Sequence, residues 1–152
     1  MMKTYAHLTE FVELMDSMHA VREAMKHYVR SRIKENDIDI TFEMVEVLLV
    51  LLKNENDLNQ QEIAFKLRKS KATITSSIDN LSAKGLVIRR TDAIDRRTNK
   101  IILTQQGLDY QQRIQPIING FFEILHKDFL PQQVQPVTQM LRQMHEDLLK
   151  KI

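Results

Sequence analysis

Residues 86–107 constrain this chain more than any other stretch. Leu86-Val87-Ile88-Arg89-Arg90 and Lys100-Ile101-Ile102-Leu103-Thr104 are short runs rich in β-branched residues. Between them lies a polar tip carrying Asp92, Asp95, Arg96 and Arg97. The pattern predicts a β-hairpin with a charged tip. Two short amphipathic segments precede it, separated by Arg68-Lys69. Asn59 can cap the first, over Gln60 to Leu67, which buries Ile63, Ala64 and Leu67. Ser70 can cap the second, which runs to about Lys84 with Ile74, Ile78 and Leu81 facing inward. Gly85 suits the left-handed residue that ends such a helix. A helix-turn-helix followed by a basic hairpin predicts a winged helix. In that arrangement a helix enters a DNA major groove and the hairpin reaches the backbone or the next minor groove.

The flanks predict long helices. Leu8, Phe11, Val12, Leu14, Met15, Met18, Val21, Met25, Tyr28 and Val29 recur at helical spacing over residues 8–33. Thr41 then caps a helix with Met44, Val45, Val47, Leu48, Leu51 and Leu52 on its apolar side. Thr104 caps another, carrying Leu108, Ile114, Ile117, Phe121 and Leu125, and Pro116 inside it predicts a bend. Pro131 opens a last helix, with Val134, Val137, Met140, Leu141, Met144, Leu148 and Leu149 read as inward. The fold expected is mainly α with a small β-hairpin wing. It forms one domain over 1–152, with a winged-helix lobe at about 41–104 and dimerisation helices at about 5–34 and 105–152. The terminal helices carry more apolar surface than a small helix-turn-helix core needs, which predicts a homodimer reading two half-sites.

Charge sharpens the reading. Residues 1–59 carry net −4, residues 60–100 net +6, and residues 101–152 are neutral. The positive charge therefore falls on the helix-turn-helix and hairpin, the footprint of a surface that binds a polyanion. Cysteine is absent, so disulfides, thiolate metal sites and cysteine chemistry are excluded. No apolar run is long enough to span a bilayer, and Glu10 and Glu13 interrupt any signal-peptide core, so a cytoplasmic chain without a membrane partner is expected.

On the capped helix after Ser70, the side opposite the apolar residues carries Ala72, Thr75, Ser76, Asp79 and Asn80, with Lys71 at the edge. Small and hydroxyl side chains let a helix sit deep in a groove. The N-terminal turn, with Ser70 and Thr73, offers N–H groups to a phosphate. Arg, Gln and Asn are missing from the first two turns of this side, so strong bidentate base contacts are few and groove shape carries more of the readout. In the wing, Asp95 and Arg97 lie two apart and can pair, which fixes a guanidinium for a narrow minor groove. Arg89, Arg90, Arg96 and Lys100 are candidates for phosphate contacts.

The run from Ser70 to Gly85, then Arg90-Thr91-Asp92-Ala93-Ile94-Asp95-Arg96-Arg97, then Leu103-Thr104-Gln105-Gln106-Gly107, resembles the MarR family of bacterial transcription regulators. That family's wing typically reads D-P-x-D-R-R, followed by a strand ending L-T-x-x-G. This chain departs at Ala93, where proline is common. The resemblance implies a winged-helix homodimer with intertwined terminal helices on a pseudo-palindromic operator. It also implies Arg97 as the minor-groove arginine with Asp95 as its partner, and Thr75 and Ser76 at base-contact positions. The function expected is a sequence-specific double-stranded DNA-binding regulator, a repressor released by a small-molecule effector. The alternative is a winged-helix module for protein contacts alone, against which the +6 segment argues.

The resemblance further implies a small aromatic or phenolic effector, for which Met15, Met18, His19, Tyr28, Phe42 and Met44 are candidates, each also a candidate for ordinary packing. His19, Glu23 and His27 are four residues apart in turn, a metal-compatible spacing. They lie opposite the apolar face of their helix and read as a solvated stripe, so neither metal nor cofactor is expected. A glycine-rich phosphate loop, a nucleophile elbow and a paired-carboxylate constellation are all missing, and no enzyme is expected.

Overall fold

The computed structural model describes residues 2–55, 58–92 and 96–152, with side chains described from residue 8 onward. In chain order the elements are α1 (Met2–Glu35), α2 (Phe42–Lys53), β1 (Leu58–Asn59), α3 (Gln60–Leu67), α4 (Lys71–Ala83), β2 (Val87–Thr91), β3 (Asn99–Leu103), α5 (Gln105–Asp128) and α6 (Pro131–Leu149). The chain divides into two compact units, residues 1–118 and 119–152.

The first unit holds α1 to α4, the sheet and the first half of α5. Its core joins Val29 and Ile33 of α1, Val45, Val47, Leu48 and Leu51 of α2, Ile63 of α3, and Ile74, Ile78 and Leu81 of α4. Leu86, Val87 and Ile101 from the sheet region and Ile114 from α5 complete it. The caps sit where their residue types predict. Thr41 Oγ1 accepts from the Met44 N–H at 3.3 Å. Asn59 and Glu62 form a reciprocal capping box, with bonds of 2.9 and 2.6 Å. Ser70 Oγ accepts from the Thr73 N–H at 3.1 Å.

The sheet has three antiparallel strands in the order β1-β3-β2. The hairpin of β2 and β3 is as expected, with Val87 opposite Leu103 and Arg90 opposite Lys100. Strand β1 was not foreseen, because two residues leave no periodicity to read. Helix α4 ends in a Schellman motif: the Leu86 N–H reaches the Leu81 carbonyl at 2.9 Å, the Gly85 N–H reaches Ser82 at 2.9 Å, and Gly85 has φ +70°. The Thr104 hydroxyl donates to the Gly85 carbonyl at 2.6 Å and accepts from the Gly107 N–H at 3.0 Å. The L-T-x-x-G pattern is therefore a joint that seats α5 on the exit of α4.

Helix α5 continues through Pro116. The second unit is the remainder of α5 with α6, where Phe121 and Phe122 meet edge to face, 5.4 Å between ring centres. One expectation is corrected here. Val134, Val137, Met140, Leu148 and Leu149 of α6 are exposed, and α6 has no buried residue. Leu8, Phe11, Val12, Met15, Met18 and Val21 of α1 are exposed as well. The helical period gave the apolar faces correctly, but within one chain nothing buries them. Among the described residues, no helix is long and apolar enough to cross a membrane.

Candidate nucleic-acid interface

Helix α4 is anchored on its apolar side by Ile74, Ile78 and Leu81, which are fully buried. That anchoring turns Lys71, Ala72, Thr75, Ser76, Asp79 and Asn80 outward, where they line an open depression of about 690 Å³. Lys71, Ala72, Ser76, Asp79 and Asn80 are exposed. The hydroxyls on this helix are not equivalent. Ser70 and Thr73 bond to each other at 2.8 Å while Ser70 caps the helix. Thr75 Oγ1 donates to the Lys71 carbonyl at 2.8 Å and accepts from the Gln60 side-chain amide. Of the hydroxyl candidates, only Ser76 lacks a protein hydrogen-bond partner among the described residues. Gln60 was missed by sequence reasoning, since nothing in its local pattern announces a partner fifteen positions on.

The wing cations also divide. Arg89 forms an ion pair with Asp79 of α4. Lys100 lies with its side chain 18% exposed, 3.7 Å from Glu62 and 3.9 Å from Asp92. These carboxylates offset the repulsion of Lys100 with Arg90, its partner across the hairpin. Lys69 pairs with Glu46 at 2.7 Å, both side chains 15% exposed, and Lys84 pairs with Asp39. Lys66, Arg68, Lys71, Arg90 and Arg96 form no ion pair with another described residue. Arg96 and Arg97 are exposed at the hairpin tip. Asp95, the expected partner of Arg97, lies outside the described residues.

A carboxylate network supports the turn before α4. Glu46 of α2 takes Arg22 of α1 at 3.2 Å and Lys69 at 2.7 Å, and the Lys69 ammonium lies 5.9 Å from the Phe42 ring centre. The Lys69 contact is charge to charge, off the axis of a directional hydrogen bond. Nearby, burial of Glu43 works against its charged form. The backbone N–H, Arg30, Lys69 and Thr41 outweigh it and hold the carboxyl below its usual value.

A family model described as the MarR family matches residues 47–98, from α2 through the hairpin tip. A transcriptional repressor, YetL of Bacillus subtilis, is 29% identical over 126 residues, covering 79% of this chain and 70% of that protein. Over residues 47–98 the chain is similar to the MarR family. A structure of a MarR transcriptional regulator from Methanosarcina mazei superposes with a TM-score of 0.73 at 25% identity, covering 91% of this chain and 98% of that one. A S. aureus MepR–DNA complex superposes with a TM-score of 0.77 at 23% identity, covering 86% and 93%. The shared fold makes α4 the second helix of a winged helix-turn-helix and the β2–β3 hairpin its wing.

The six effector candidates do not converge. Phe42 and Met44 are buried in the core and Tyr28 packs against it, whereas Met15, Met18 and His19 are exposed on α1. The resemblance grouped the two sets together; burial separates them. Among the described residues, no cluster of three metal-ligating side chains occurs.

Proposed function

We propose that this chain is a sequence-specific double-stranded DNA-binding transcription regulator that represses as a homodimer in the cytoplasm. The observation that carries the reading is the open face of α4, with Lys71, Ala72, Ser76 and Asn80 outward, beside a hairpin that presents Arg90, Arg96 and Arg97. Ser76 and Asn80 read base edges, Thr75 contributes at the groove wall, and the N-terminal turn of α4 from Ser70 meets a phosphate. Arg97 enters the neighbouring minor groove with Asp95 as its partner, and Arg90 and Arg96 hold the backbone. The repressor name of YetL and the DNA complex of MepR support the same reading.

Dimerisation is supported by the exposed apolar residues that recur along α1 and α6, the kind of surface that marks an interaction site. Two lobes then read a pseudo-palindrome with half-sites about 34–36 Å apart or a multiple of that. Relief by a small aromatic or phenolic compound is the regulation that the family resemblance implies. The test is fluorescence anisotropy on the duplex upstream of the chain's own coding region, beside a scrambled duplex, over a salt series. Preferential binding that weakens by about 0.9 log units per phosphate neutralised, per log unit of salt, is expected. Equal or absent binding to both duplexes would favour the protein-contact module instead.

A further inference from the structure

Arg89 stands two residues after Val87 on β2, so the pleat sends both side chains to one face. Val87 is fully buried against the core. Arg89, one repeat further out, emerges at the core's edge and meets Asp79 on α4. Asp79 is exposed and lines the same depression as Lys71, Ser76 and Asn80. A carboxylate thus stands on the face that meets a polyanion, and its partner is drawn from the cations closest to that polyanion. A carboxylate and a phosphate offer an arginine the same forked pair of acceptors. The two compete for Arg89.

We propose that Asp79 is an internal counter-ion that occupies Arg89 in place of a DNA phosphate and so holds DNA affinity below what the charge of the lobe permits. The proposal rests on the DNA-binding reading above. In the wild-type protein Arg89 displaces no counterion from DNA, and Asp79 adds no net repulsion because it is neutralised. The pair contributes a net charge of zero to the interface, and each lobe's salt dependence reflects Lys71, Arg90, Arg96 and their neighbours without Arg89. Removing the Asp79 charge frees the guanidinium for the backbone.

The experiment compares wild type, Asp79→Asn, Arg89→Gln and the double variant Asp79→Asn/Arg89→Gln by anisotropy on one operator duplex across a salt series, with thermal melts confirming folding. Asp79→Asn is expected to bind more tightly at low salt and to steepen the log–log salt slope by about 0.9 per lobe, about 1.8 for a dimer. Between roughly 50 and 200 mM salt that amounts to an additional loss of about tenfold. The double variant, whose net charge equals the wild type's, is expected to reproduce the wild-type slope and affinity. A double variant flatter than wild type by about 0.9 per lobe would make Arg89 a phosphate ligand already in the native complex and would overturn the proposal. So would an Asp79→Asn variant with unchanged or weaker binding, the outcome expected if Asp79 itself accepts from a cytosine amino group. Wild-type protein that binds no duplex at any salt would overturn the DNA-binding reading, and the proposal with it. Changes in slope among variants bear on the proposal alone.

Discussion

Gly107→Ala tests whether the joint between hairpin and α5 is as tight as its geometry says. A Cβ at residue 107 would lie 2.0 Å from the Leu86 carbonyl oxygen, 3.0 Å from the Leu86 carbonyl carbon and 3.2 Å from Leu103 Cδ2. The nearest atom is backbone, and it is held in place. The Leu86 carbonyl accepts from the Thr104 N–H at 3.1 Å and from the Thr104 hydroxyl at 3.3 Å. Clearing the clash requires the first turn of α5 to lift by more than about 1 Å to restore normal contact distance. That displacement breaks the Thr104 N–H bond and the Gly107 N–H to Thr104 Oγ1 bond, at about 1 kcal/mol each, and opens the packing of Leu103. Against this stands a gain of about 1 kcal/mol in helix propensity. Repacking strain adds about 1–3 kcal/mol, so the net loss expected is about 2–4 kcal/mol. Urea denaturation at one fixed protein concentration measures it, and the melting temperature should fall by about 5–10 °C. A variant within about 0.5 kcal/mol of wild type would refute the argument, since it would mean that α5 shifts freely on Leu86.

Three further outcomes are expected. Glu46→Ala should cost about 2–3 kcal/mol in urea denaturation, because it strands the nearly buried Lys69 ammonium. The double variant Glu46→Leu/Lys69→Met should recover most of that loss, and failure to recover would show that the charges matter otherwise than as a pair. Arg97→Ala should weaken operator binding by about tenfold or more while the melt stays unchanged, and wild-type affinity at matched salt would remove Arg97 from the wing contact. Glu43 is held below its ordinary carboxyl value of about 4.5, so between its folded and unfolded values the unfolded chain binds more protons and stability rises with pH. Its contribution should be full above about pH 4.5 and fade as the pH falls below that value. The stability difference between wild type and Glu43→Gln should therefore shrink on acidification, and a constant difference would refute the linkage.

Local chemistry made much of the lobe readable. Thr41, Asn59 and Ser70 cap helices because their side-chain oxygens reach N–H groups two or three residues on, a geometry that needs no tertiary information. Gly85 is legible for the same reason, as it accepts the left-handed φ that ends α4. Two strand-like runs around a polar tip likewise gave the hairpin, while its register came only with the structure. What escaped was set by partners distant in sequence. Thr75 and Ser76 look alike on a helical wheel, yet Gln60 takes the hydroxyl of one and leaves the other open. Phe42 and Met44 look like pocket residues until the core of α2 closes over them.

The charge asymmetry was the least transparent signal. A net +6 over residues 60–100 marks the segment expected to meet a polyanion but not the residues that carry the charge. Lys69, Lys84, Arg89 and Lys100 are held by Glu46, Asp39, Asp79, and Glu62 with Asp92. Three of those carboxylates, Glu62, Asp79 and Asp92, come from the same segment and were already subtracted in its net charge, whereas Glu46 and Asp39 come from the acidic residues before it. The acidic first part of the chain therefore does more than balance the total. Glu46 and Asp39 fasten the turn before α4 and the residue that ends it, so α4 is clamped at both ends by charges from outside the basic segment. Cations used in this way position the helix, and Lys71, Arg90 and Arg96, which are exposed, are the ones that the proposed reading sends to the DNA backbone.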